Sequence, residues 1–237
     1  MRWRQPLLAF DFDGTLAPIV ARPDDARIPL PVARRLRQLG EQVPVAVVTG
    51  RSVADVSARL GFDPTFVVGN HGVEDPDGPS PQRWSAALGP LREQLRLQAE
   101  ELARHGVRVE DKAFSIALHY RLAPDPQRAQ DAIAQALQGD LGDLSVLGGK
   151  CVVNVTPRGA PDKGDAVLAL AQRCQAEAGV FMGDDDNDEP AFAKLPANWL
   201  TVRMGADHAR SRATFYLDGP SQLPAVLQIM LDADRPP

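Results

Sequence analysis

Cysteine is nearly absent: Cys151 and Cys174 are the only two in 237 residues, and no Cys-x-x-Cys occurs. Neither a disulfide framework nor a thiolate zinc site is therefore supported. Aromatic residues are scarce at 5%, which leaves the core to Leu, Val, Ala and Ile. No apolar run approaches the roughly 18 residues that would span a membrane. Positive charge is not in excess either. Lys and Arg number 26 against 31 Asp and Glu, a formal net charge of −5, and nucleic-acid binding needs clustered cations to displace counterions from phosphates. The chain also lacks internal repeats, a Gly-x-x-x-x-Gly-Lys-Ser/Thr loop and a strand-following Gly-x-Gly-x-x-Gly. What is present, 44% hydrophobic and 24% charged residues, is ordinary for a globular chain of one large domain or two small ones.

Arg2 and Arg4 precede Leu7-Leu8-Ala9-Phe10, a pattern resembling the start of a signal peptide, but Asp11 and Asp13 end it too early. The expectation is a soluble intracellular protein. Short apolar runs at Leu7–Phe10, Val43–Val48, Thr65–Val68, Gly179–Met182 and Trp199–Arg203 read as buried strands, continuous rather than alternating in polarity. Such strands belong to a parallel sheet covered by helices on both faces. Helical spacing at Pro31–Leu39, Val53–Leu60 and Gly164–Ala176 supplies that cover. Two loop-rich stretches, Asp75–Pro81 and Thr156–Asp162, interrupt the pattern. Between them the texture predicts a helix at Ala87–Arg104, strands at Val107–Asp111 and Phe114–Tyr120, a helix at Pro126–Gln138, and strands at Leu144–Leu147 and Cys151–Val155. This is a small α+β unit inserted into a parallel α/β domain, either as a lid or as a purely architectural second domain.

The first chemically informative segment is Phe10-Asp11-Phe12-Asp13-Gly14-Thr15-Leu16, where a buried strand ends. A period of two places Asp11 and Asp13 on one side, and two carboxylates there repel unless a cation or proton separates them. Alone, such a segment reads as an Asp-rich turn capping a helix. A second acidic cluster, Gly183-Asp184-Asp185-Asp186-Asn187-Asp188-Glu189, follows another buried strand, and strand ends of an open α/β sheet converge on one crevice. A calcium-loop reading fails, because Glu189 and Leu195 stand where Gly and Glu are required. Hard oxygen ligands from two strand ends suit Mg²⁺ completed by waters and a phosphate. Thr49 and Gly50 end a third strand with a hydroxyl and an amide, and Lys163 opens a helix where the helix dipole alone disfavours a cation. Read singly, Thr49 is a helix cap and Lys163 a surface residue.

Together, in this order, the four segments resemble the haloacid-dehalogenase-like phosphatases. The resemblance implies a Rossmann-like parallel-sheet core with an inserted α+β cap of the C2 type, divided as core 1–82, cap 83–156 and core 157–237. It further implies Mg²⁺-dependent phosphoryl transfer through an aspartyl phosphate. Asp11 would be the nucleophile and Asp13 the acid and base. Thr49, Gly50 and Lys163 would bind the phosphoryl oxygens. Asp11, the backbone carbonyl of Asp13, and Asp184 would hold the metal, with Asp188 orienting Lys163 or metal waters.

In the insert, alternation along Ser115, Ala117, His119 and Arg121, and along Lys150, Val152 and Asn154, places polar groups on one sheet face. That face suits a polyhydroxylated ligand, or is simply solvated. Gly69-Asn70-His71-Gly72-Val73-Glu74, Ala117–Arg121, Gly149–Val153 and the last acidic motif are similar to segments of the trehalose-6-phosphate phosphatases. That resemblance implies trehalose 6-phosphate as substrate, with Glu74, Lys112, His119, Arg121, Lys150 and Asn154 as sugar contacts. Asn154 and Asn187 depart from the common pattern, which keeps a mannosyl-3-phosphoglycerate-type sugar phosphatase in view. A non-catalytic phosphosugar-binding module is a third reading. A small-molecule sugar phosphate is the expected partner of a cytoplasmic monomer, with no nucleic acid and no membrane.

Overall fold

The structure, a computed structural model, describes residues 6–139, 141–149, 151–205 and 210–233. Two compact units make up the chain, one from Met1–Asp77 with Pro161–Pro237 and the other from Gly78–Ala160. In chain order the first unit begins with β1 (Leu7–Phe10), α1 (Leu30–Gly40), β2 (Val45–Val48), α2 (Val53–Ser57) and β3 (Phe66–Val68). The second holds α3 (Gln82–Ala87), α4 (Gly89–Leu97), α5 (Ala99–Arg104), β4 (Arg108–Asp111), β5 (Ile116–His119), α6 (Pro126–Ala136), β6 (Leu144–Gly149) and β7 (Val152–Pro157). The first unit then resumes with α7 (Lys163–Arg173), β8 (Gly179–Gly183), α8 (Glu189–Lys194), β9 (Leu200–Met204), β10 (Phe215–Leu217) and α9 (Leu223–Ala233).

The first unit is built on a six-stranded sheet in the order β10-β9-β8-β1-β2-β3, every pair parallel. Its central strands lack alternation because both faces are covered. Leu8 and Phe10 of β1 face a core formed with Val32, Leu36 and Leu39 of α1 and Leu223 and Leu227 of α9. Leu7 and Ala9 face a second core, formed with Val167 and Leu170 of α7 and Phe192 of α8. From β1 the chain leaves to β2 on one side, and β8 lies on the other. The carboxyl ends of these three strands therefore border the crevice where an open sheet places its ligand.

The second unit is an antiparallel sheet in the order β4-β5-β7-β6. Ile116, Leu118 and Val155 on one sheet face pack against Leu91, Leu95, Leu102 and Ile133 from the helices. Two sequence expectations change here. The helix expected over Ala87–Arg104 starts at Gln82 and is broken into three. Pro90, the second residue of α4, has no N–H to continue the earlier helix, and its ring collides with the carbonyl four residues back. The strand expected to reach Tyr120 stops at His119, so Arg121 lies in the following turn, exposed, instead of extending the alternating face. Among the described residues no helix is long and apolar enough to cross a membrane.

Candidate active site

Asp11, Thr49 and Asp184 each directly follow a central strand, at the ends of β1, β2 and β8. The Asp11 amide donates to the Met182 carbonyl at 2.8 Å, extending the β1–β8 ladder by one residue and fixing where its carboxylate emerges. Lys163 is the first residue of α7. Asp162 caps this helix, its side chain accepting from the Asp165 amide while Asp165 accepts from the Asp162 amide. Side chains of a first turn lean toward the helix N-terminus, and Lys163 Nζ thereby lies 2.7 Å from Asp11 Oδ1 and 2.7 Å from Asp188 Oδ1. Only 2% of Lys163 is exposed. The other oxygen of Asp188 accepts from the amides of Asp184 and Asp185, at 2.9 and 3.0 Å. Asp188 is thus committed on both oxygens to holding Lys163 and the acidic turn. Gly14 makes the close approach possible. It takes φ +81°, and a Cβ there would lie 2.0 Å from Asp184 Oδ2.

Asp11, Asp184 and Asp188 each bring one carboxylate oxygen within 4.8 Å of the others, all three residues buried. One ammonium cannot balance three buried carboxylates, so a cation or a proton is required. Burial pushes the Asp11 carboxyl well up, against the opposing pull of Lys163, with Asp188 and Asp184 adding to the rise. Burial disfavours the Lys163 ammonium, but Asp11 and Asp188 more than offset this and hold it protonated.

Asp13 takes a different course from Asp11. Its two oxygens accept from Nε and Nη2 of Arg51, both at 2.7 Å. Arg51 has no expected role from the sequence, although it follows Thr49 and Gly50. The available signal was a cation beside a buried strand end. Thr49, 1% exposed, accepts on Oγ1 from the Arg51 amide at 3.2 Å, which leaves its hydroxyl hydrogen to be donated. Gly50 is required by its neighbour, since a Cβ there would lie 2.4 Å from the His71 ring. His71, buried at φ +59°, is held by its amide on the Thr49 carbonyl at 2.9 Å. Glu74 Oε2 accepts from the Val53 amide at 2.9 Å and from Asn70 Nδ2 at 2.8 Å. One oxygen of this expected sugar contact therefore caps α2.

Within the second unit, His119 Nε2 lies 2.6 Å from Glu110 Oε2. The His119 hydrogen bond holds the Glu110 carboxyl down at about 2 despite partial burial, with a smaller contribution from Lys112. Ladder register sets Ala117 between Glu110 and Asn154, and His119 between Arg108 and Val152. Glu110, His119 and Asn154 consequently share one sheet face. Asn154 is 3% exposed. Lys112 is half-buried just after β4, and Arg121 is exposed. Lys150 lies outside the described residues.

A parallel sheet interrupted by an antiparallel α+β unit, with carboxylates and a lysine gathered at adjacent strand ends, defines the haloacid-dehalogenase-like fold. A family model for trehalose-phosphatase matches residues 9–221, and the chain belongs to that family. It is 34% identical over 232 residues to a trehalose-phosphate phosphatase of Mycobacterium marinum, covering 92% of this chain and 60% of that protein. It is also 37% identical over 256 residues to an uncharacterized glycosyl hydrolase of Mycobacterium tuberculosis, covering 98% of this chain and 19% of that protein. The chain thus spans about 60% of the length of the first of these curated relatives and about a fifth of the second. Among solved structures it is similar to the C-terminal domain of C. albicans trehalose-6-phosphate phosphatase, with a TM-score of 0.80 at 21% identity, covering 97% of this chain and 93% of that one.

Proposed function

We propose that this chain hydrolyses trehalose 6-phosphate to trehalose and phosphate through an aspartyl phosphate on Asp11. The observation that carries the reading is Lys163, buried between Asp11 and Asp188 beside Asp184, in a chain of the trehalose-phosphatase family. An Asp11 carboxylate oxygen attacks phosphorus in line with the ester oxygen. Asp13 gives a proton to the departing alkoxide, then takes one from the water that attacks the acyl phosphate, which releases phosphate and restores Asp11. The Lys163 ammonium, the Thr49 hydroxyl and the Gly50 amide bind the equatorial oxygens.

The donor set fits Mg²⁺: hard carboxylate oxygens within 4.8 Å of one another carry more negative charge than Lys163 balances. Asp11, the Asp13 carbonyl and Asp184 would hold it. When bound, the ion offsets repulsion between nucleophile and phosphate and stabilises charge on the transferring oxygens. Asp188, with both oxygens engaged by Lys163 and backbone amides, orients these groups from behind.

Sugar selection we assign to Lys112, His119, Arg121, Lys150 and Asn154 of the insert, and to the second oxygen of Glu74. Support comes from the polar face shared by Glu110, His119 and Asn154, since a disaccharide presents hydroxyls that need both donors and acceptors. Phosphate release from a panel of phosphorylated sugars, with and without a chelator, tests the reading. Metal-dependent release with trehalose 6-phosphate preferred is the expected result. Preference for another phosphosugar would keep the phosphatase and remove the trehalose assignment. Binding without release would make the chain a phosphosugar-binding module.

A further inference from the structure

We propose that Arg51 is a positioning residue that sets the Asp13 carboxylate for proton transfer, and that Asp55 fixes Arg51 in turn. The inference rests on the reading of Asp13 as the proton carrier. Asp13 needs such a partner, because β1 ends at Phe10 and no regular element constrains its side chain, 38% of which is exposed. A carboxylate in that setting samples several rotamers, whereas proton transfer requires hydrogen-bond reach and orientation. The guanidinium removes this freedom by engaging both Asp13 oxygens at 2.7 Å, the two-pronged geometry that arginine alone provides. Each carboxylate oxygen keeps a second lone-pair site, which can carry the proton given to the departing ester oxygen or accept one from a water.

Arg51 is itself immobilised. Its side chain is 9% exposed, its Nη1 donates to Asp55 Oδ2 at 2.7 Å, and its Nη2 also donates to the Pro23 carbonyl at 2.9 Å. The guanidinium carbon lies 5.2 Å from the centre of the Phe12 ring. These contacts commit four N–H donors to protein acceptors, leaving little of the fork for a substrate phosphate. Asp55 stands in α2, tied to its N-terminus by the Ser52 cap, and also accepts from Arg59. The line Asp55–Arg51–Asp13 therefore anchors a loop carboxylate to a helix.

Leaving groups test this. 4-Nitrophenyl phosphate departs without acid assistance, while phenyl phosphate and trehalose 6-phosphate depend on it increasingly. Arg51→Ala is expected to lower kcat/KM for trehalose 6-phosphate by about 30-fold or more, and for 4-nitrophenyl phosphate by less than about 3-fold. Phenyl phosphate should fall between them. Added guanidinium chloride, but not sodium chloride, should restore part of the loss. In an Asp13→Asn background the same change should cost less than about 2-fold, because its effect passes through Asp13. Asp55→Asn should show the same order of esters at about 3- to 10-fold, and it carries the test should Arg51→Ala not fold by circular dichroism. Two outcomes overturn the proposal while leaving Asp13 its role: equal losses on all three esters, or losses that multiply with those of Asp13→Asn. If Asp13→Asn itself lost all esters equally, the acid–base reading would fall, and the proposal with it.

Discussion

The two units handle polar groups in opposite ways. In the first, the groups aimed at the strand-end crevice are buried and multiply paired. Lys163 is 2% exposed, Asp11 4% and Asp188 0%, and each is held by contacts near 2.7 Å from another strand or helix. In the second, Asn154 is buried, but Glu110 and His119 on the same sheet face are only partly so, and the contact between those two joins neighbouring strands. Phosphoryl transfer demands groups already oriented in a water-poor setting, because reorganisation during the reaction raises the barrier. Recognition of hydroxyls tolerates exposed, adaptable donors. The expected division is therefore rate in the first unit and choice of ester in the second.

The largest effect should follow Asp11→Asn. An amide cannot form the acyl phosphate, so turnover should drop at least about 10³-fold on every ester, with the fold retained by circular dichroism. Next comes stability. Lys163→Ala would leave Asp11 and Asp188 buried without their cation, a change that typically costs about 3–5 kcal/mol. Urea unfolding should show this loss, and Lys163→Ala combined with Asp11→Asn should recover part of it. A cost under about 1 kcal/mol would mean that water screens the cluster, and the comparison between the units would lose its basis.

His119→Ala sharpens the comparison from the other side. It should lower kcat/KM for trehalose 6-phosphate by about 10- to 100-fold and leave 4-nitrophenyl phosphate within about 2-fold. Losses that match on both esters would make the insert's polar face structural.

The same contrast explains what was legible in the sequence. Asp11 and Asp184 could be found because apolar runs mark where strands end, and carboxylates at such ends are unusual enough to read locally. Strand β1 was legible for the same reason, being continuous and wholly buried. Strand β10 is not legible, since three residues with Phe215 and Tyr216 half exposed carry no burial pattern. Helix α9 is absent from the sequence expectations, although its apolar face completes the core beside α1. Arg51, and the capping role of Glu74 (itself expected as a sugar contact), are not legible for a further reason. Their partners lie 38 and 21 residues away, and no local period encodes which distant carboxylate or amide a side chain will meet.

The smallest effect concerns acid stability of the insert. Glu110 is held at about 2 by the His119 hydrogen bond, against partial burial and with help from Lys112, whereas its ordinary value is 4.5. Above that value both folded and unfolded chains carry an ionised Glu110, and the pair's contribution is fully present. As pH falls through 4.5 the unfolded chain takes up the proton first, so stability declines until the folded carboxyl also protonates near 2. The Glu110 side chain is 36% exposed, and after solvent screening the effect should stay below about 1 kcal/mol. Hydrogen exchange of the β4 and β5 amides, compared at equal pH between 5 and 3, should show the native chain losing more protection than Glu110→Gln. His119→Ala should remove the difference, because its hydrogen bond is the main cause of the depressed carboxyl. If Glu110→Gln followed the native chain throughout, the pair would contribute nothing to the insert, and its two members would be free to serve the sugar alone.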